Sequence, residues 1–530
     1  MPFDPVRVEV WRHLFASIAE EMGATLEHTG YSPNLKERRD YSCALFDAEG
    51  LLVTQAAHIP VHLGAMPTMM ESLRGAIRWR PGDMWICNDP AHGGTHLPDL
   101  TVVAPVFEPA PGRELLGFVA NRAHHADVAG LAPGSLALST DLYQEGLILP
   151  PVRLVAGGRP RADILAVIRA NSRTPAERRG DLDAQVSANR TGALRLRDLA
   201  AHHGAREVAR QARALCAHAE ATVRAALRAA PEGAFRASDV LDDDGLGATN
   251  LTIRVEARLR AGALTLDFAG TDPAVTGPMN ATEAVTRSAC YYVVRCLAGP
   301  DAPANDGAFR PVSVVAPPGT LVNAPPSSAV AAGNVETSQR IVDVVLAALR
   351  PAFGDRIPAA SQGTMNNVAV GGSDPARGGA FAYYETVCGG GGAGARGPGA
   401  SAIHTHMTNT RNTPVEALEM HYPLRVRELS VRRGSGGRGV HPGGDGVRRS
   451  LELLAPARVS VLSERRRHAP PGVDGGEGGA PGRNAVVWPD GRVEELPGKL
   501  SLDLPTGAVL IVETPGGGGW GPPAPRAIAS

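Results

Sequence analysis

An α+β, multidomain fold is what the sequence predicts, on three observations. The stretch Arg161 to Ala230 is rich in Ala, Arg, Leu and Glu with few breakers, and it follows a region dominated by short strand-like runs and turns. Strict apolar/polar alternation sets in near Gly247, and from about Phe353 glycine and proline dominate. At 530 residues the chain exceeds one typical core and divides into about two to four structural units. We set the regions at 1–160 (mixed α+β, carrying the metal-binding candidates), 161–235 (helical), 236–352 (α+β) and 353–530 (β-rich).

The elements follow in chain order. Val6, Val10, Leu14, Ile18 and Met22 recur at helical spacing and predict an opening helix over Val6 to Met22. Short strands and turns then run to Val155. Within them, Leu100 to Phe107 and Leu115 to Asn121 are apolar runs around a Pro/Gly turn at Glu108 to Gly112, the signature of a hairpin. In the central stretch Val208, Ala212, Leu215, Ala219, Val223 and Leu227 mark one helix face. Its arginines have acidic neighbours and read as a solvated face. Leu251 to Ala257 and Leu264 to Phe268 alternate as half-buried strands do. Helices are expected over Thr282 to Leu297 and Ser338 to Leu349, and strands at Leu424 to Leu429, Leu451 to Leu454, Val459 to Leu462 and Ala508 to Val512. The glycine runs Gly389 to Gly394 and Gly516 to Gly519 read as tight surface loops or lids. Neither is followed by Gly-Lys-Ser/Thr, and neither opens an obvious helix as G-x-G-x-x-G. ATP, if used, must therefore bind a different chain.

Composition narrows the function classes. Hydrophobic content of 43% and a net charge of -1 argue against disorder and polyanion binding. Aromatic residues at 4% leave few platforms for stacking nucleic acid. No apolar run reaches the roughly eighteen residues of a membrane span, and Met1 to Pro5 has no signal-peptide core, so a cytoplasmic protein without membrane contact is expected. The six cysteines lack C-x-x-C pairing and read as reduced, buried thiols. Cys43 and Cys87 stand near candidate ligands but inside apolar runs, where cysteine acts as a small hydrophobe rather than a nucleophile.

Two clusters carry the chemistry: Asn88-Asp89-Pro90-Ala91-His92-Gly93-Gly94-Thr95-His96-Leu97-Pro98-Asp99 and Asn121-Arg122-Ala123-His124-His125-Ala126-Asp127. Imidazole and carboxylate form a borderline-hard donor set suited to Zn, Mn or Fe, and thiolate is absent from both. The expected hairpin would bring His96 and Asp99, at the entrance of its first strand, to His124 at the exit of its second. Gly93 and Gly94 permit close backbone approach, and Pro98 stiffens the turn. Turn residues and capping histidines are the bland alternative, which the combined constellation disfavours. A second set, Ser361 to Asn367, Tyr383 to Thr386 and His404 to Asn409, offers neutral hydrogen-bonding groups suited to a cyclic amide or imide. Glu385, His404 and His406 are its pocket candidates, with the two histidines on one face of a strand. Packing at a subunit contact is the alternative there.

The two clusters, with Asn34-Leu35-Lys36-Glu37-Arg38-Arg39-Asp40-Tyr41-Ser42-Cys43-Ala44-Leu45-Phe46-Asp47, resemble the hydantoinase B/oxoprolinase family, whose relatives include the acetone carboxylase α subunit. The likeness continues through His58 to Gly64, Ser187 to Arg190, Gly333 to Gln339, Thr408 to Glu416 and Thr514 to Gly521, nearly the whole chain. It implies Asp40, His96, Asp99 and His124 as ligands of a divalent metal ion, Zn or Mn with Fe as a further option. His125 and Asp127 would orient the ligands or carry a proton. It further implies one component of an ATP-dependent hydrolase of hydantoins, 5-oxoproline or related lactams. A separate hydantoinase A-type partner would bind ATP in an α2β2 assembly and phosphorylate the amide oxygen. A divalent ion brings the pKa of water from 15.7 toward about 7 and so makes hydroxide available at neutral pH. The sequence departs from the family pattern at Ala129, where a glycine is usual, and in extra residues around Glu108 to Gly112. Other readings are an ATP-dependent acetone or ketone carboxylase with a third small subunit, and a noncatalytic scaffold stabilised by metal.

Overall fold

The computed structural model describes residues 5–56, 59–109 and 114–524, which leaves most of the Glu108 to Gly112 turn, His58 of the His58 to Gly64 motif and Met1 to Asp4 outside the described residues. The opening helix exists and is longer than expected, α1 (Pro5–Thr29). Its buried stripe is Val8, Trp11, Phe15, Ile18, Met22 and Leu26, whereas Val6 and Val10 face outward. The helical period was legible; the face that packs was shifted.

Behind α1 stands a seven-stranded sheet of β1 (Tyr41–Phe46), β2 (Leu52–Gln55), β3 (Met84–Cys87), β4 (Asp99–Phe107), β5 (Leu115–His124), β6 (Val152–Ala156) and β7 (Arg159–Pro160), in the order β2-β1-β5-β4-β3-β6-β7. The expected hairpin is β4 and β5, antiparallel with Asp99 opposite His124. Almost every residue of both strands is buried, which is why they read as unbroken apolar runs rather than alternation. After the short α2 (Pro33–Lys36), the stretch expected to be dominated by short strands and turns contains α3 (His62–Ala76). Gly64 and the internal Pro67 hide this helix from sequence reading, yet Met66, Met69, Met70 and Leu73 bury one side of it.

The helical stretch resolves into α4 (Ala162–Ala170), α5 (Pro175–His203) and α6 (Ala205–Arg228). Helix α5 lies against β4 and β5 and is locked there by side-chain amides. Gln185 Nε2 donates to Leu100 O (2.8 Å), Asn189 Nδ2 to Val102 O (2.9 Å), and Asn121 Nδ2 to Asn189 Oδ1 (2.9 Å). Asn189 belongs to the Ser187 to Arg190 motif, and its amide ties α5 to the main chain of β4.

A second sheet holds β8 (Gly233–Asp243), β9 (Thr249–Arg260), β10 (Ala263–Asp267) and β11 (Val312–Val315), ordered β11-β10-β9-β8. Leu251, Ile253, Val255, Ala257 and Leu259 alternate inward, toward α7 (Glu283–Ala298) and α9 (Ser338–Phe353), with the single turn α8 (Asp306–Phe309) seated on α6. One apolar core joins these elements to α3 and to Phe46 and Phe118 of the first sheet.

The last third contains β12 (Asn367–Ser373), β13 (Ala380–Thr386), α10 (Val415–His421), β14 (Leu424–Arg432), β15 (Gly446–Leu453), β16 (Ala457–Leu462), β17 (Arg483–Val487), β18 (Val493–Leu496), β19 (Lys499–Leu504) and β20 (Val509–Glu513). They form two antiparallel sheets, β13-β12-β16-β19 and β14-β15-β20-β17-β18, over a shared core that includes Val368, Val459, Leu451 and Leu510.

The glycine runs are not surface loops or lids. Gly389 to Gly391 and Gly516 to Gly519 are buried and knitted to each other and to Gly437 and Gly444 through main-chain hydrogen bonds: Gly517 N to Gly444 O (2.9 Å), Gly444 N to Gly391 O (2.8 Å), Gly437 N to Gly517 O (2.8 Å). A Cβ at Gly517 would stand 2.0 Å from Gly391 O. The backbones lie too close for any side chain, so these runs are a packing device. No described helix is long and apolar enough to cross a membrane.

Candidate metal centre

The hairpin register brings the first candidate ligands together. Asp99 opens β4 and His124 closes β5, directly opposite each other, and His96 precedes Asp99 by one tight turn closed by Asp99 N donating to His96 O (3.1 Å). The glycines ahead of it are steric requirements. A Cβ on Gly93 (φ +85°) would lie 2.5 Å from Met69 N, and one on Gly94 2.2 Å from Asn88 O. Asn88 clamps the loop by donating to Leu97 O (2.7 Å).

The donor atoms converge. His96 Nε2 is 3.0 Å and His124 Nδ1 3.1 Å from Asp99 Oδ1, and the two nitrogens are 3.2 Å apart. The other carboxylate oxygen, Oδ2, accepts from Thr95 Oγ1 (2.5 Å) and lies 3.4 Å from His62 Nε2. All of these side chains are buried, and one ligand atom from each of His96, Asp99 and His124 falls within 4.8 Å of the others. The cavity they line is ≈ 20 Å³, enough for one water-sized occupant, which needs about 10–15 Å³. His124 Nε2 and His96 Nδ1 have no hydrogen-bond partner among the described residues. The nitrogens that face the shared carboxylate are the opposite pair, His96 Nε2 and His124 Nδ1, and two buried imidazoles converging on one carboxylate oxygen are a donor set that fits a divalent cation.

Burial works to raise the Asp99 carboxyl, but the charge of His96 and hydrogen bonds from His124 and His62 hold it well below the usual carboxylate range. Burial pushes the His124 imidazole down, and its hydrogen bond to Asp99 works against that shift. For His96, burial is outweighed by Asp99, and its value rises.

Asp40 lines the same cavity but stands outside the converging trio, 3.6 Å from the buried Arg38 guanidinium. Its carbonyl accepts from His124 N (2.9 Å), tying the two segments together. Arg38 also lies over the ring of Tyr384 (4.7 Å), and that ring stacks on His124 with centroids 4.7 Å apart.

His62 is the residue sequence reasoning missed. It is the first residue of α3, and its Nδ1 lies 3.0 Å from Ser42 Oγ on β1. That contact aims Nε2 at Asp99, the usual way an imidazole at a metal site is oriented. The signal was present in the His58 to Gly64 motif, but its helix was not legible. Asn334, Tyr384, Thr386, Thr408 and Thr410 also face the cavity.

His125 and Asp127, the expected orienting pair, do not reach it. Side chains of successive extended residues take opposite faces, so His125 turns toward α5, its Nε2 3.0 Å from Gln185 Oε1. Burial, then the Arg178 charge, pushes its imidazole down to about 3. Asp127 accepts from Arg173 Nη1 and from Arg173 N, both at 2.7 Å. The pair braces the approach to α5. Nearby, Ala129 adopts φ +75°, a conformation glycine takes without strain, at the position where the sequence departs from the family pattern.

The second polar set divides by the same parity. Tyr384 and Thr386 face the cavity, while Glu385 points the other way into a buried pair with Arg449 (3.1 and 3.2 Å), completed by Tyr383 Oη (2.9 Å) and Asn412 Nδ2 (3.0 Å). The expected strand carrying His404 and His406 is irregular chain, with His406 at φ +58°, so the two do not share a strand face. His406 Nδ1 is 3.4 Å from Tyr292 Oη and Nε2 3.7 Å from Asp343 Oδ1. Burial pushes the His404 imidazole down to about 4. The cavity takes Met407 and Thr408 from this segment instead. Cys43 and Cys87 are buried, and burial raises both thiols, Cys87 to about 12; both behave as hydrophobes.

A hydrogen-bonded chain backs the Tyr384 ring. Its hydroxyl donates to Asn367 Oδ1 (2.9 Å), and Asn367 Nδ2 and Met365 N donate to Glu336 Oε1 (2.7 and 3.0 Å). Burial pushes the Glu336 carboxyl from 4.5 up to about 8, so the folded chain keeps this proton where the unfolded chain has lost it. The associated stability is complete below pH 4.5 and falls as pH rises toward about 8. Glu336→Gln should therefore gain on the native protein between pH 5 and pH 8 in thermal melts. A melting difference that stays constant across that range would contradict the assignment.

Comparison with known proteins places these features in context. A family model described as hydantoinase B/oxoprolinase matches residues 4–523. A 5-oxoprolinase 1 from Arabidopsis thaliana is 38% identical over 554 residues, covering 98% of this chain and 42% of that protein. A protein of Pseudomonas sp. (strain NS671), named as the putative B-type component of a D-/L-hydantoinase, is 30% identical over 544 residues, covering 99% of this chain and 91% of that one. The crystal structure of an ATP-dependent caprolactamase from Pseudomonas jessenii superposes with a TM-score of 0.92 at 29% identity, over 100% of this chain and 93% of that one. The chain thus spans about two-fifths of the 5-oxoprolinases it matches and nearly all of the hydantoinase component.

Proposed function

The chain belongs to the hydantoinase B/oxoprolinase family, and on that premise we propose that it is the metal-dependent part of an ATP-dependent cyclic-amide hydrolase. Hydantoins, 5-oxoproline or related lactams are the substrate class. ATP is bound by a separate hydantoinase A-type subunit, in an α2β2 assembly. The observation that carries this reading is the convergence of His96, Asp99 and His124 on one small buried cavity.

Asp99 is the organising group. One oxygen faces two imidazoles and the other is held by Thr95 beside His62, so the carboxylate cannot rotate away. Asp40 is the fourth ligand in this reading, released from Arg38. A divalent ion at these donors, Zn or Mn with Fe as a further option, would polarise a carbonyl and supply hydroxide at neutral pH. The orienting and proton-carrying role expected of His125 and Asp127 passes to His62, whose Nε2 lies beside Asp99 and whose Nδ1 is fixed by Ser42. Asn334, Thr386, Thr408 and Thr410 line the same cavity and set neutral donors and acceptors beside the ligands.

The test is reconstitution. With ATP, the purified chain alone should open no lactam, and addition of the A-type subunit should give turnover with ATP consumed in step, from a complex of two copies of each chain by native mass spectrometry. Full lactam turnover by the isolated chain would remove the partner from the scheme. Bicarbonate-dependent carboxylation of ketones in place of lactam opening would transfer the chain to the carboxylase reading.

A further inference from the structure

A second, larger cavity of ≈ 280 Å³ shares a wall with the metal cavity. Ile59 lines both. Along the segment that follows, Val61 and His62 face the metal side while Pro60 and Leu63 face the larger space. Its walls are mostly apolar. Arg295, on the last turn of α7, is the one charged side chain among the described residues that line it. That guanidinium is half-buried, burial lowers its pKa, and among the described residues no carboxylate lies within ion-pair distance. Gln55, at the end of β2, is 7% exposed and lines the same space, and its Oε1 has no hydrogen-bond partner among the described residues. Leaving a buried amide carbonyl without a partner is unfavourable, whereas an apolar pocket lined by a few polar groups, here Gln55 and the half-exposed Arg295, is the usual form of a small-molecule site. The volume lies at the lower end of the range of about 300–1,000 Å³ typical of such sites, so the occupant is small.

We propose that this cavity holds a small ring compound bearing a carboxylate, with Arg295 pairing the carboxylate, Gln55 Oε1 accepting a ring N–H, and Ile59, Pro60 and Leu63 covering the apolar edge. A guanidinium is the side chain best shaped for a carboxylate, and a lactam N–H is the donor that a lone carbonyl oxygen lacks. The assignment rests on the cyclic-amide reading and narrows it. Arg295 would be a specificity-determining residue that selects acidic lactams over uncharged ones.

Calorimetric titration of the purified chain with 5-oxoproline and with uncharged 2-pyrrolidinone is the test. The native chain should bind 5-oxoproline more tightly. Arg295→Gln should weaken that binding about 10–100-fold, the loss expected of one charge-assisted contact, with 2-pyrrolidinone unaffected. Arg295→Lys should restore part of it, and Gln55→Leu should weaken both ligands. Matching thermal melts would show that the variants are folded. No binding of 5-oxoproline, no preference over 2-pyrrolidinone, or equal affinity in Arg295→Gln would each overturn the proposal. Turnover by the reconstituted complex separates the two readings. Arg295-dependent binding without ring opening removes the hydrolase and keeps the pocket; ring opening of 5-oxoproline indifferent to Arg295→Gln removes the pocket and keeps the hydrolase.

Discussion

His96→Ala and Asp99→Ala should each strip the chain of the proposed divalent ion and abolish the proposed lactam opening by the assembled complex. Asp99 is the more exposed to this loss, because its carboxylate is the common neighbour of three imidazoles: His96 at 3.0 Å, His124 at 3.1 Å and His62 at 3.4 Å. Removing it takes away one donor and leaves the others without the group that gathers them. His124→Ala should behave alike. His125→Ala should keep the ion, since that ring faces Gln185 across the sheet, and its cost should appear in stability instead. Elemental analysis of the four purified variants, beside the native protein, decides between them. Normal metal content in His96→Ala or Asp99→Ala would move the site elsewhere, and an ion lost from His125→Ala but kept by His124→Ala would reverse the assignment within the pair.

Glu385→Ala should be among the most destabilising single substitutions in the chain, on the order of 3–5 kcal/mol, because it leaves the buried Arg449 charge unpaired. Burial of the pair is nearly complete, and Tyr383 and Asn412 add two further hydrogen bonds to the carboxylate. The folded fraction of the variant should retain its metal, since Glu385 points away from the cavity that its neighbours Tyr384 and Thr386 line. Chemical denaturation measures the first effect and elemental analysis the second. A variant as stable as the native chain but with weakened lactam binding would restore Glu385 to the substrate pocket.

Local pattern was enough to determine much of this molecule. Two apolar runs around a turn specify a hairpin, a hairpin specifies which ends meet, and so the meeting of His96, Asp99 and His124 follows from residues within one short stretch of chain. The helices α5, α6, α7 and α9 and the strands β9, β10 and β14 were legible for the same reason, since the composition and patterning that mark them lie within each segment. What only the tertiary structure decided involves residues far apart in the chain. His62 reaches Asp99 because α3, concealed by Gly64 and Pro67, packs beneath the sheet. Tyr384 arrives on His124 from the other end of the chain. Asp40 is drawn to Arg38, and His125 and Asp127 are turned to α5 by parity at a strand end, where a shift of one residue exchanges the two faces. The glycine runs look like loose loops in one dimension because nothing local shows that four backbones will lie against one another. That contact exists only once the C-terminal sheets are assembled, and its closeness is the physical reason those positions have no side chain.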